Sequence, residues 1–301
     1  MIDVSIIIIN YCTADLLIDA VSSVIERTED IDYEIIVVDN NSPDNSIGRI
    51  EHRFEDCGKI KFVKLDENVG FGRANNAGYK VSRGRNIFCL NPDTVLINNA
   101  VKVLSDYLDS HDNVGLCGGN LFHKDGNYCT SYNMTFPSIF AEFSSLLGYL
   151  PEIIMYRGNR KYNNSDKELK VGMITGADLM VKRSVIDEVG FFRPEFFMYF
   201  EDTDFCFRVA RAHYLRINIP SAKIYHLEGK STKSYKKKAE MNFNGRRTFY
   251  LLNYSRFYTL CANILFVVSS SLKYIMYTIR RSPNRIYWGE LLKLSFKRTN
   301  D

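Results

Sequence analysis

The chain has 301 residues, 46% of them hydrophobic and 25% charged, so it is long enough to bury a substantial core as one large domain or as a domain with an appendage. Its net charge of +4 does not by itself indicate a nucleic-acid partner, and its positive residues are concentrated toward the C-terminus. Seven scattered cysteines without a CxxC pair argue against a zinc or disulfide framework and favour a reducing compartment. The apolar start lacks a basic segment and contains Asp3, which predicts a strand rather than a signal peptide, and a cytosolic protein.

The first ninety residues alternate between β-branched apolar runs and segments of helical character. Strands are predicted for VSIIIIN (4–10), YEIIVVDN (33–40), KIKFVKL (59–65) and NIFCLN (86–91). Helices are predicted for the segments between them, over 13–28, 44–56 and 71–83. This alternation is typical of a parallel sheet covered on both faces, which binds ligands beyond the carboxyl ends of its strands. Those ends carry Asn10, Asp39-Asn40-Asn41 and Asn91-Pro92-Asp93, so a binding site is expected there.

The stretch NVGFGRANNAG (68–78) combines a GxG pair with three asparagines at the start of a predicted helix. It is not a dinucleotide fingerprint, because Asn75 stands where GxGxxG requires its third glycine. A glycine-relaxed turn into a helix explains the stretch by itself. The same turn also suits close approach of the backbone to a ligand, which makes Asn68, Gly70 and Asn75 candidate binding residues.

Two isolated acids and one histidine each allow two interpretations. Asp39 in VVDNNS either forms an Asx turn that caps the next helix or accepts a hydrogen bond from a nucleobase. Asp93 in LNPDT lies either in a turn or in a site for Mg²⁺ or Mn²⁺, since such a cation needs only one or two protein carboxylates when phosphates supply other oxygens. His226 in KIYHLEG is either a core residue or, if it converges on Asp93, a metal ligand.

The middle of the chain is less regular. VGLCGGNLF (114–122) and ITGADLMVKRS (174–184) predict strands with glycine punctuation. Residues 123–172 lack strong periodicity and are interpreted as an insertion or lid. YLRINIP (214–220) and KIYHL (223–227) predict the last strands.

The stretch FFMYFEDTDFC (196–206) places three carboxylates among aromatic and sulfur-bearing side chains. A helix that begins near Glu201 puts the acids in its first turn, where the helix dipole favours them, and the spacing of Asp204 and Arg208 predicts an ordinary surface pair. Asp202 points about 200° away from Asp204 around such a helix. Beside Glu201 and among aromatic rings, the pKa of Asp202 is expected to be raised, as is wanted in a general base.

After Gly229 the composition becomes basic and then apolar. Residues 230–247 carry seven Lys or Arg against one Glu, and an apolar stretch follows from Phe257 to Ile279 with Lys273 as its only charge. One interpretation is a helix packed on the rest of the chain with a solvated basic face. The other is a helix in the membrane interface, since the stretch has the ~20 residues needed to span but is rich in Ser and Tyr. In that case salt should weaken membrane association and deletion of 230–301 should abolish it.

Seven motifs, in order from residue 4 to about residue 231, resemble glycosyltransferase family 2, in particular its bacterial rhamnosyltransferase-like branch. They read VSIIIINY, EIIVVDNNSPDNS, NVGFGRANNAG, LNPDT, GADLMVKRSVIDEVGFF, FFMYFEDTDFCFR and IYHLEGKST. The resemblance implies a GT-A fold, an α/β architecture with a Rossmann-like, mostly parallel sheet flanked by helices, here with a helical, basic C-terminal extension. It implies a nucleotide-sugar-binding and catalytic domain over 1–229, and the composition beyond it predicts an extension over 230–301 for which membrane association is one interpretation.

The resemblance also implies roles for particular residues. Asp39 would contact the nucleobase, Asp93 would be the last acid of the DxD motif and bind a divalent cation, and His226 would be an additional metal ligand. Asp202 would be the base of the ED motif, with Glu201 orienting or polarising it, while Asp204 is expected to be structural. Asn91 replaces the first acid of DxD, so metal binding is expected to be weak without nucleotide. The candidate donor-binding residues are Asn10, Asp39, Asn41, Asn68, Gly70, Asn75, Asn91, Gly176 and Ala177.

The expected function is inverting sugar transfer, dependent on Mg²⁺ or Mn²⁺, from a nucleotide-diphosphate sugar to a glycan or lipid-linked acceptor in bacterial surface polysaccharide synthesis. Rhamnose is the sugar that the branch suggests, and the expected location is the cytoplasm, peripheral to the inner membrane. The alternative is a non-catalytic nucleotide-sugar-binding or scaffold protein of a glycan-assembly complex, which the presence of Asp93 and Asp202 disfavours. A sugar nucleotidylyltransferase would carry a GxGTR-like loop after the first strand, where this chain reads NYCTAD. Nucleic-acid binding lacks a recognised motif.

Overall fold

The computed structural model describes residues 2–227 and 234–297. The described residues form two compact units. The first, which we call the sheet unit, comprises 2–134, 161–197 and 201–227; the second, the helical unit, comprises 135–160, 198–200 and 234–297. The boundary expected after residue 229 lies outside the described residues, so the division into 1–229 and 230–301 stays a prediction.

Eleven strands are described. In chain order they are β1 Val4–Asn10, β2 Tyr33–Asp39, β3 Ile60–Lys64, β4 Asn86–Leu90, β5 Thr94–Leu96, β6 Val114–Phe122, β7 Tyr132–Asn133, β8 Leu169–Lys170, β9 Met173–Ile174, β10 Asp178–Lys182 and β11 Leu215–His226. Nine of them form one mixed sheet in the order β3-β2-β1-β4-β10-β6-β11-β5, with β8 also paired to β11, and β7 pairs with β9. Strands β1 to β4, β6 and β11 run in one direction, and β5, β8 and β10 run in the other.

Eleven helices are described. In chain order they are α1 Ala14–Arg27, α2 Ser46–Arg53, α3 Phe71–Val81, α4 Ala100–Ser110, α5 Ile139–Leu146, α6 Leu150–Met155, α7 Arg183–Val189, α8 Glu201–Arg211, α9 Tyr235–Asn253, α10 Arg256–Ile279 and α11 Asn284–Phe296. Helices α5, α6, α9, α10 and α11 lie in the helical unit. The predicted GT-A-type architecture, with a mostly parallel sheet, flanking helices and a helical C-terminal segment, is confirmed.

The first four strands and three helices lie within three residues of their predicted ends. All seven residues of β1 and of β2 are buried, as expected of strands covered on both faces. Ile6 and Ile8 belong to the core that α1 and α4 cover. On the other face α3 packs so closely that a Cβ on Gly78 would lie 2.7 Å from Ile7.

The second half of the sheet differs from the sequence-based expectation in two places. ITGADLMVKRS is not one strand, because a turn at Gly176 and Ala177 separates β9 from β10, and α7 begins at Arg183. The two runs expected as separate strands over 214–220 and 223–227 form the single strand β11. Its pairing with β6 shifts register between Asn218 and Lys223, and such an irregularity accommodates Pro220, which has no N–H to donate.

Candidate active site

The carboxyl ends of β1 and β2 are joined by side-chain hydrogen bonds. Asn10 and Asp39 end these strands in register, and Asn10 Nδ2 lies 2.7 Å from Asp39 Oδ1. Asp39 also accepts from the Ser42 hydroxyl at 2.7 Å and from the Ser42 N–H at 3.2 Å. Helix α2 begins after Asn45, so Asp39 does not cap it. Asp39 instead holds the loop that follows β2, with its carboxylate fixed at the strand end.

The same end of β2 holds the glycine-containing turn before α3. Asn40 donates to Asn68 Oδ1 at 3.0 Å and accepts from the Val69 N–H at 2.9 Å. Gly70 has a φ of +84°, and a Cβ there would lie 2.1 Å from the carbonyl oxygen of Phe197. Only glycine fits this conformation and this approach. Asn40 was not among the predicted site residues, although its place at a polar strand end was the available signal.

Asn41 and Asn75 occupy different environments. Asn41 is exposed and has a φ of +57°. Asn75 is buried in α3, where its amide donates to the Phe71 carbonyl at 3.0 Å, and its Oδ1 has no hydrogen-bond partner within the described residues. Neither residue makes a side-chain contact that assigns it to a donor site, so both roles stay predictions.

The ends of β4 and β11 bring Asp93 and His226 together across 132 positions of sequence. His226 Nε2 lies 3.3 Å from Asp93 Oδ1, and each side chain is 13% exposed. The expected approach of these two residues is therefore seen. His226 Nδ1 also lies 3.8 Å from the sulfur of Cys129, a buried residue that sequence reasoning treated as a small hydrophobe.

The pair fits a divalent cation only in part. One carboxylate oxygen and one imidazole nitrogen are suitable donors for Mn²⁺ or Mg²⁺. Across residues 2–227 and 234–297, however, no group of three or more His, Cys, Asp or Glu side chains could hold a metal ion. A cation at Asp93 and His226 would thus need further oxygens from outside the protein, such as those of a diphosphate.

A chain of backbone contacts connects Asn91 to the acids of α8. The Asn91 N–H donates to the Ala177 carbonyl at 2.9 Å, and the Gly176 N–H donates to Asp202 Oδ2 at 2.9 Å. A Cβ on Gly176 would lie 3.2 Å from the ring of Phe71, so this turn also lies against the start of α3. These contacts position Asn91 and Asp202, and the donor-binding roles of Gly176 and Ala177 stay predictions.

Glu201 and Asp202 begin α8 as predicted, but their surroundings differ. Asp202 is half-buried and accepts three hydrogen bonds, from Gly176 and from the N–H and hydroxyl of Thr203 at 2.6 and 3.2 Å. Glu201 is buried, and its Oε2 has no partner in the described structure. Burial and the neighbouring Asp202 raise the pKa of Glu201 to about 8. Burial also raises the pKa of Asp202, and its hydrogen bonds oppose that rise.

Asp204 forms a structural cluster rather than the surface pair expected from its spacing with Arg208. It is fully buried, and its two oxygens lie 3.1 Å from Arg193 and 2.9 Å from Arg208. Arg208 additionally donates to the carbonyls of Val189 and Gly190 at 2.6 Å. The surface interpretation was wrong because the period of a helix gives the direction of a side chain but not what covers it.

Asp178 is a buried acid that sequence reasoning missed. It lies in β10, next to Ala177, with no exposed surface; one oxygen accepts from the Gly119 N–H at 2.6 Å and Oδ1 has no partner in the described residues. Burial raises its pKa to about 7. The available signal was a carboxylate inside an otherwise apolar strand, since such a group is costly to desolvate.

The two residues before α8 have strained backbones. Tyr199 and Phe200 have φ values of +68° and +71°, a region that costs about 1–3 kcal/mol for a residue other than glycine. Within the helical unit they pack on α9, where a Cβ on Gly245 would lie 2.6 Å from the Tyr199 carbonyl oxygen and 3.0 Å from the Phe200 ring. Because Gly245 has no side chain, the backbone of Tyr199 and the ring of Phe200 can pack closely against α9.

Known proteins resemble this chain in sequence and in fold. Residues 5–190 match the family described as Glycosyl transferase family 2. The chain is 25% identical over 210 residues to the N-acetylglucosaminyl-diphospho-decaprenol L-rhamnosyltransferase of Mycobacterium tuberculosis. This alignment covers 66% of this chain and 67% of that protein. It is 24% identical over 199 residues to the dTDP-rhamnosyl transferase RfbF of Shigella flexneri, with 65% and 60% covered.

Among solved structures, the fold is similar to that of the mannosyltransferase PcManGT from Pyrobaculum calidifontis, determined in complex with GDP-Man and Mn²⁺. The TM-score is 0.60, the alignment covers 97% of this chain and 84% of the other, and the sequences are 13% identical. At this identity the likeness concerns the fold alone.

Proposed function

The chain belongs to glycosyltransferase family 2 and is a glycosyltransferase of the hexosyltransferase class, and from this premise we propose the reaction that it catalyses. It moves a sugar, with inversion, from a nucleotide-diphosphate sugar to a glycan or lipid-linked acceptor in bacterial surface polysaccharide synthesis. Rhamnose is the proposed sugar, because the names of two relatives specify rhamnosyl transfer. The contact of Asp202 with Gly176, beside Glu201, whose Oε2 has no partner among the described residues, is the observation that carries the chemical step.

Glu201 and Asp202 are proposed to share one proton near neutral pH. Two adjacent carboxyls in a buried setting do not both ionise readily. Hydrogen bonds to the charged form favour ionisation of Asp202, which accepts three, whereas Glu201 Oε2 accepts none among the described residues. The negative charge therefore resides on Asp202 and the shared proton on Glu201. Because Glu201 is neutral, it does not repel the charge on Asp202.

Asp202 is proposed as the general base of a single displacement. As the acceptor hydroxyl oxygen forms its bond to the anomeric carbon, its proton passes to Asp202 and the bond from that carbon to the diphosphate oxygen breaks. A positioned general base contributes about 10²–10⁴-fold to the rate. The nucleoside diphosphate leaves from the opposite side of the sugar, which accounts for inversion.

Asp93 and His226 are the residues that would hold a divalent cation. When bound, Mg²⁺ or Mn²⁺ would neutralise charge on the departing diphosphate. Asn91 supplies a neutral amide where the family's motif has an acid, so cation binding is proposed to require the nucleotide. Asp39, fixed by Asn10 and Ser42, is proposed to contact the nucleobase, and the turn at Asn68 and Gly70 is proposed to approach the donor.

The proposed location is the cytoplasmic face of the inner membrane. Two observations support it: one relative's name specifies a decaprenol-linked substrate, and the C-terminal segment of this chain is basic and apolar. A lipid-linked saccharide is accordingly the proposed acceptor. The alternative, a nucleotide-sugar-binding protein without catalysis, has the same binding residues and differs only in turnover.

A donor screen tests the proposal. UDP-, dTDP- and GDP-sugars are added to the full chain with Mn²⁺ or with EDTA, and thermal stability and nucleoside diphosphate release are measured. A bound donor at about a hundred times its Kd stabilises the fold by about 2.7 kcal/mol. We expect dTDP-rhamnose with Mn²⁺ to give the largest stabilisation and EDTA to remove release. Stabilisation without release or transfer would favour the non-catalytic alternative, and EDTA-insensitive transfer would exclude the cation.

A further inference from the structure

Helix α10 carries its large aliphatic and aromatic residues on its outward face. Seven of them recur at spacings of three or four residues and are between 44% and 77% exposed: Phe257, Leu260, Ile264, Val268, Leu272, Ile275 and Ile279. Residues at this spacing form one stripe along a helix. We call these seven residues the apolar stripe.

The inward side of α10 combines small and polar residues with one partly buried ring, that of Phe266. Its buried residues are Ala262, Ser269 and Ser270. Lys273, the only charged residue inside the apolar stretch, also points inward, since its ammonium donates to Ser145 of α5 at 2.6 Å and lies 4.7 Å from the centre of the Trp288 ring. The helix is thus amphipathic, but its large aliphatic residues face outward, whereas those of a surface helix in a water-soluble protein face the core.

The neighbouring helix α5 repeats this arrangement. Phe140, Phe143 and Leu147 are exposed at helical spacing, while Ser144 is buried and Ser145 lies 3.2 Å from Ser269 of α10. Past the turn, Leu150 and Ile154 are 57% and 69% exposed. The two helices therefore meet through serines and turn their apolar residues outward.

Buried charge holds these helices together. Arg246 of α9 is buried and lies 2.8 Å from Glu142 of α5 and 2.7 Å from the Asn263 side chain of α10. Its guanidinium also lies 4.1 Å from the centre of the Phe266 ring. Small residues and polar contacts between helices, with aliphatic residues outside, are the packing pattern of helices in lipid.

An exposed apolar surface of this extent needs a cover, and we infer that an anionic lipid bilayer covers the apolar stripe and the outward face of α5. Charge supports this partner, because the described residues of the helical unit carry fourteen Lys or Arg against four Glu, a net charge of +10 in a chain whose total is +4. Arg256 begins α10 and Arg280 and Arg281 follow it, so cations flank the stripe at both ends. Cations at both ends are placed to meet lipid headgroups.

Helix α10 lies in the plane of the interface and does not cross the bilayer. It is the one described helix that is long and apolar enough to cross by length and composition, with a mean hydropathy of 1.4. However, α9 and α11, which precede and follow it, pack against each other. Helix α9 begins with three exposed lysines, Lys236, Lys237 and Lys238, and cannot enter the hydrocarbon. Both ends of α10 are therefore on the same side.

This inference goes beyond the proposed reaction and changes the expected mode of binding. The basic tail alone predicts an attachment that salt weakens, whereas burial of the apolar stripe is largely independent of salt. It also assigns membrane contact to α5, in the segment that sequence analysis interpreted as an insertion or lid. Binding is measured without any donor, so a failure here and a failure of the proposed reaction are distinguishable.

Flotation with vesicles of phosphatidylethanolamine and phosphatidylglycerol tests the inference on the full chain. Wild type should float at 0.1 M NaCl and remain bound at 1 M NaCl. The variant I264Q/V268Q/L272Q should partition about a hundredfold more weakly, because three half-exposed aliphatic side chains no longer enter lipid. The control I25Q/V81Q, which changes exposed apolar residues of the sheet unit, should bind like wild type. Thermal unfolding of both variants checks that they remain folded.

Trypsin added outside sealed vesicles tests the orientation. We expect cleavage after both Arg256 and Arg280 or Arg281, since all three are exposed; protection of one end alone would show that α10 crosses and overturn the in-plane arrangement. If 1 M NaCl abolished binding and the triple variant still bound like wild type, the contact would be purely electrostatic and the inference would be overturned. A soluble wild-type dimer that the triple variant converts to a monomer would also overturn it, because a second copy would then cover the stripe.

Discussion

In the sheet unit the aliphatic residues of β1 and β2 are completely enclosed, whereas in the helical unit those of α10 face outward. Of the 26 large apolar residues that are exposed in the described chain, only six lie in the sheet unit: Tyr11, Ile25, Val81, Tyr128, Tyr162 and Phe197. Buried charge is used differently too. The helical unit pairs the buried Arg246 with Glu142 as a contact between helices, and the sheet unit places half-buried Asp202 between the buried acids Glu201 and Asp204 at the start of one helix.

This difference shows that burial and hydrogen-bonding or ionic partners, taken together, distinguish a charged residue that stabilises the fold from one that is available for catalysis. A buried ion that is fully paired holds elements in place, because removing its partner leaves an uncompensated charge. Arg246 and Asp204 are of this kind. A buried carboxyl without a full set of partners, such as Glu201, keeps a proton whose position the protein can use.

The largest expected effect comes from Asp202→Asn. The substitution keeps the size of the side chain and removes its basicity, so turnover should fall by about 10²–10⁴ while the unfolding midpoint and donor binding stay unchanged. The measurement is kcat at saturating donor, together with donor-induced thermal stabilisation. Asp112→Asn, at an exposed aspartate of the same unit, is the control and should turn over like wild type. Near-normal turnover of the Asp202 variant would move the base to another residue.

Asp204→Ala tests the structural side of the contrast. It leaves Arg193 and Arg208 without their shared carboxylate, which should lower the free energy of unfolding by about 3–5 kcal/mol. Urea unfolding followed by circular dichroism measures this loss. Asp15→Ala is the matched control, because Asp15 pairs with Arg49 on the exposed surface, where such a pair is worth about 0–1 kcal/mol. Equal losses in the two variants would mean that burial of Asp204 adds nothing.

Glu201→Gln tests whether the buried carboxyl of Glu201 keeps its proton. The pKa of Glu201 is raised from 4.5 to about 8, so the folded protein binds this proton more tightly than the unfolded chain. The stabilisation is complete below the unfolded pKa and is lost as pH rises from about 4.5 to 8, with a slope of at most about 1.4 kcal/mol per pH unit.

The variant should lose this part of the pH dependence, and above pH 8 it should be more stable than wild type by about 1–3 kcal/mol. Urea unfolding at pH 5, 6, 7, 8 and 9 gives the comparison. Glu195→Gln, at an exposed glutamate close by in sequence, should keep the wild-type profile. Parallel profiles for Glu201→Gln and wild type would show that Glu201 is ionised in the fold.

Sequence alone predicted the first half of the sheet unit closely. Uninterrupted β-branched runs such as VSIIIIN fix buried strands, and their register brings Asn10 beside Asp39 at a shared edge. The start of α8 at Glu201 followed from its acidic first turn. The approach of Asp93 to His226 came from the family resemblance, because no local pattern connects residues on β11 with the end of β4.

What the sequence could not supply was the environment of each side chain. Asp204 and Arg208 have the spacing of a surface pair, yet other elements cover them. The stripe of α10 has a clear period, but a period does not say whether its apolar side faces a core or the outside. Asp178, Asn40 and Gly245 matter through neighbours distant in sequence, and their backbone or side-chain contacts depend on the assembled fold.

The smallest expected effect lies where the chain passes from the helical unit to the sheet unit, between Phe200 and Glu201. Gly245→Ala places a Cβ 2.6 Å from the Tyr199 carbonyl oxygen, a backbone atom that cannot rotate away. Alanine favours the helix by about 1 kcal/mol and the overlap costs about 1–3 kcal/mol, so the free energy of unfolding should fall by at most about 2 kcal/mol. The strained segment must shift, however, and Asp202 follows it two residues later.

Turnover of Gly245→Ala should therefore fall about tenfold, since small displacements of a catalytic group are costly, while donor-induced stabilisation is unchanged. Gly48→Ala is the matched control within a helix, because its Cβ meets only the end of the Asn45 side chain, which can move. A loss of turnover in Gly245→Ala alone would mean that the backbone conformation of Tyr199 and Phe200 affects the position of Asp202. Wild-type turnover in both variants would show that Tyr199 and Phe200 tolerate displacement and that α9 only packs against them.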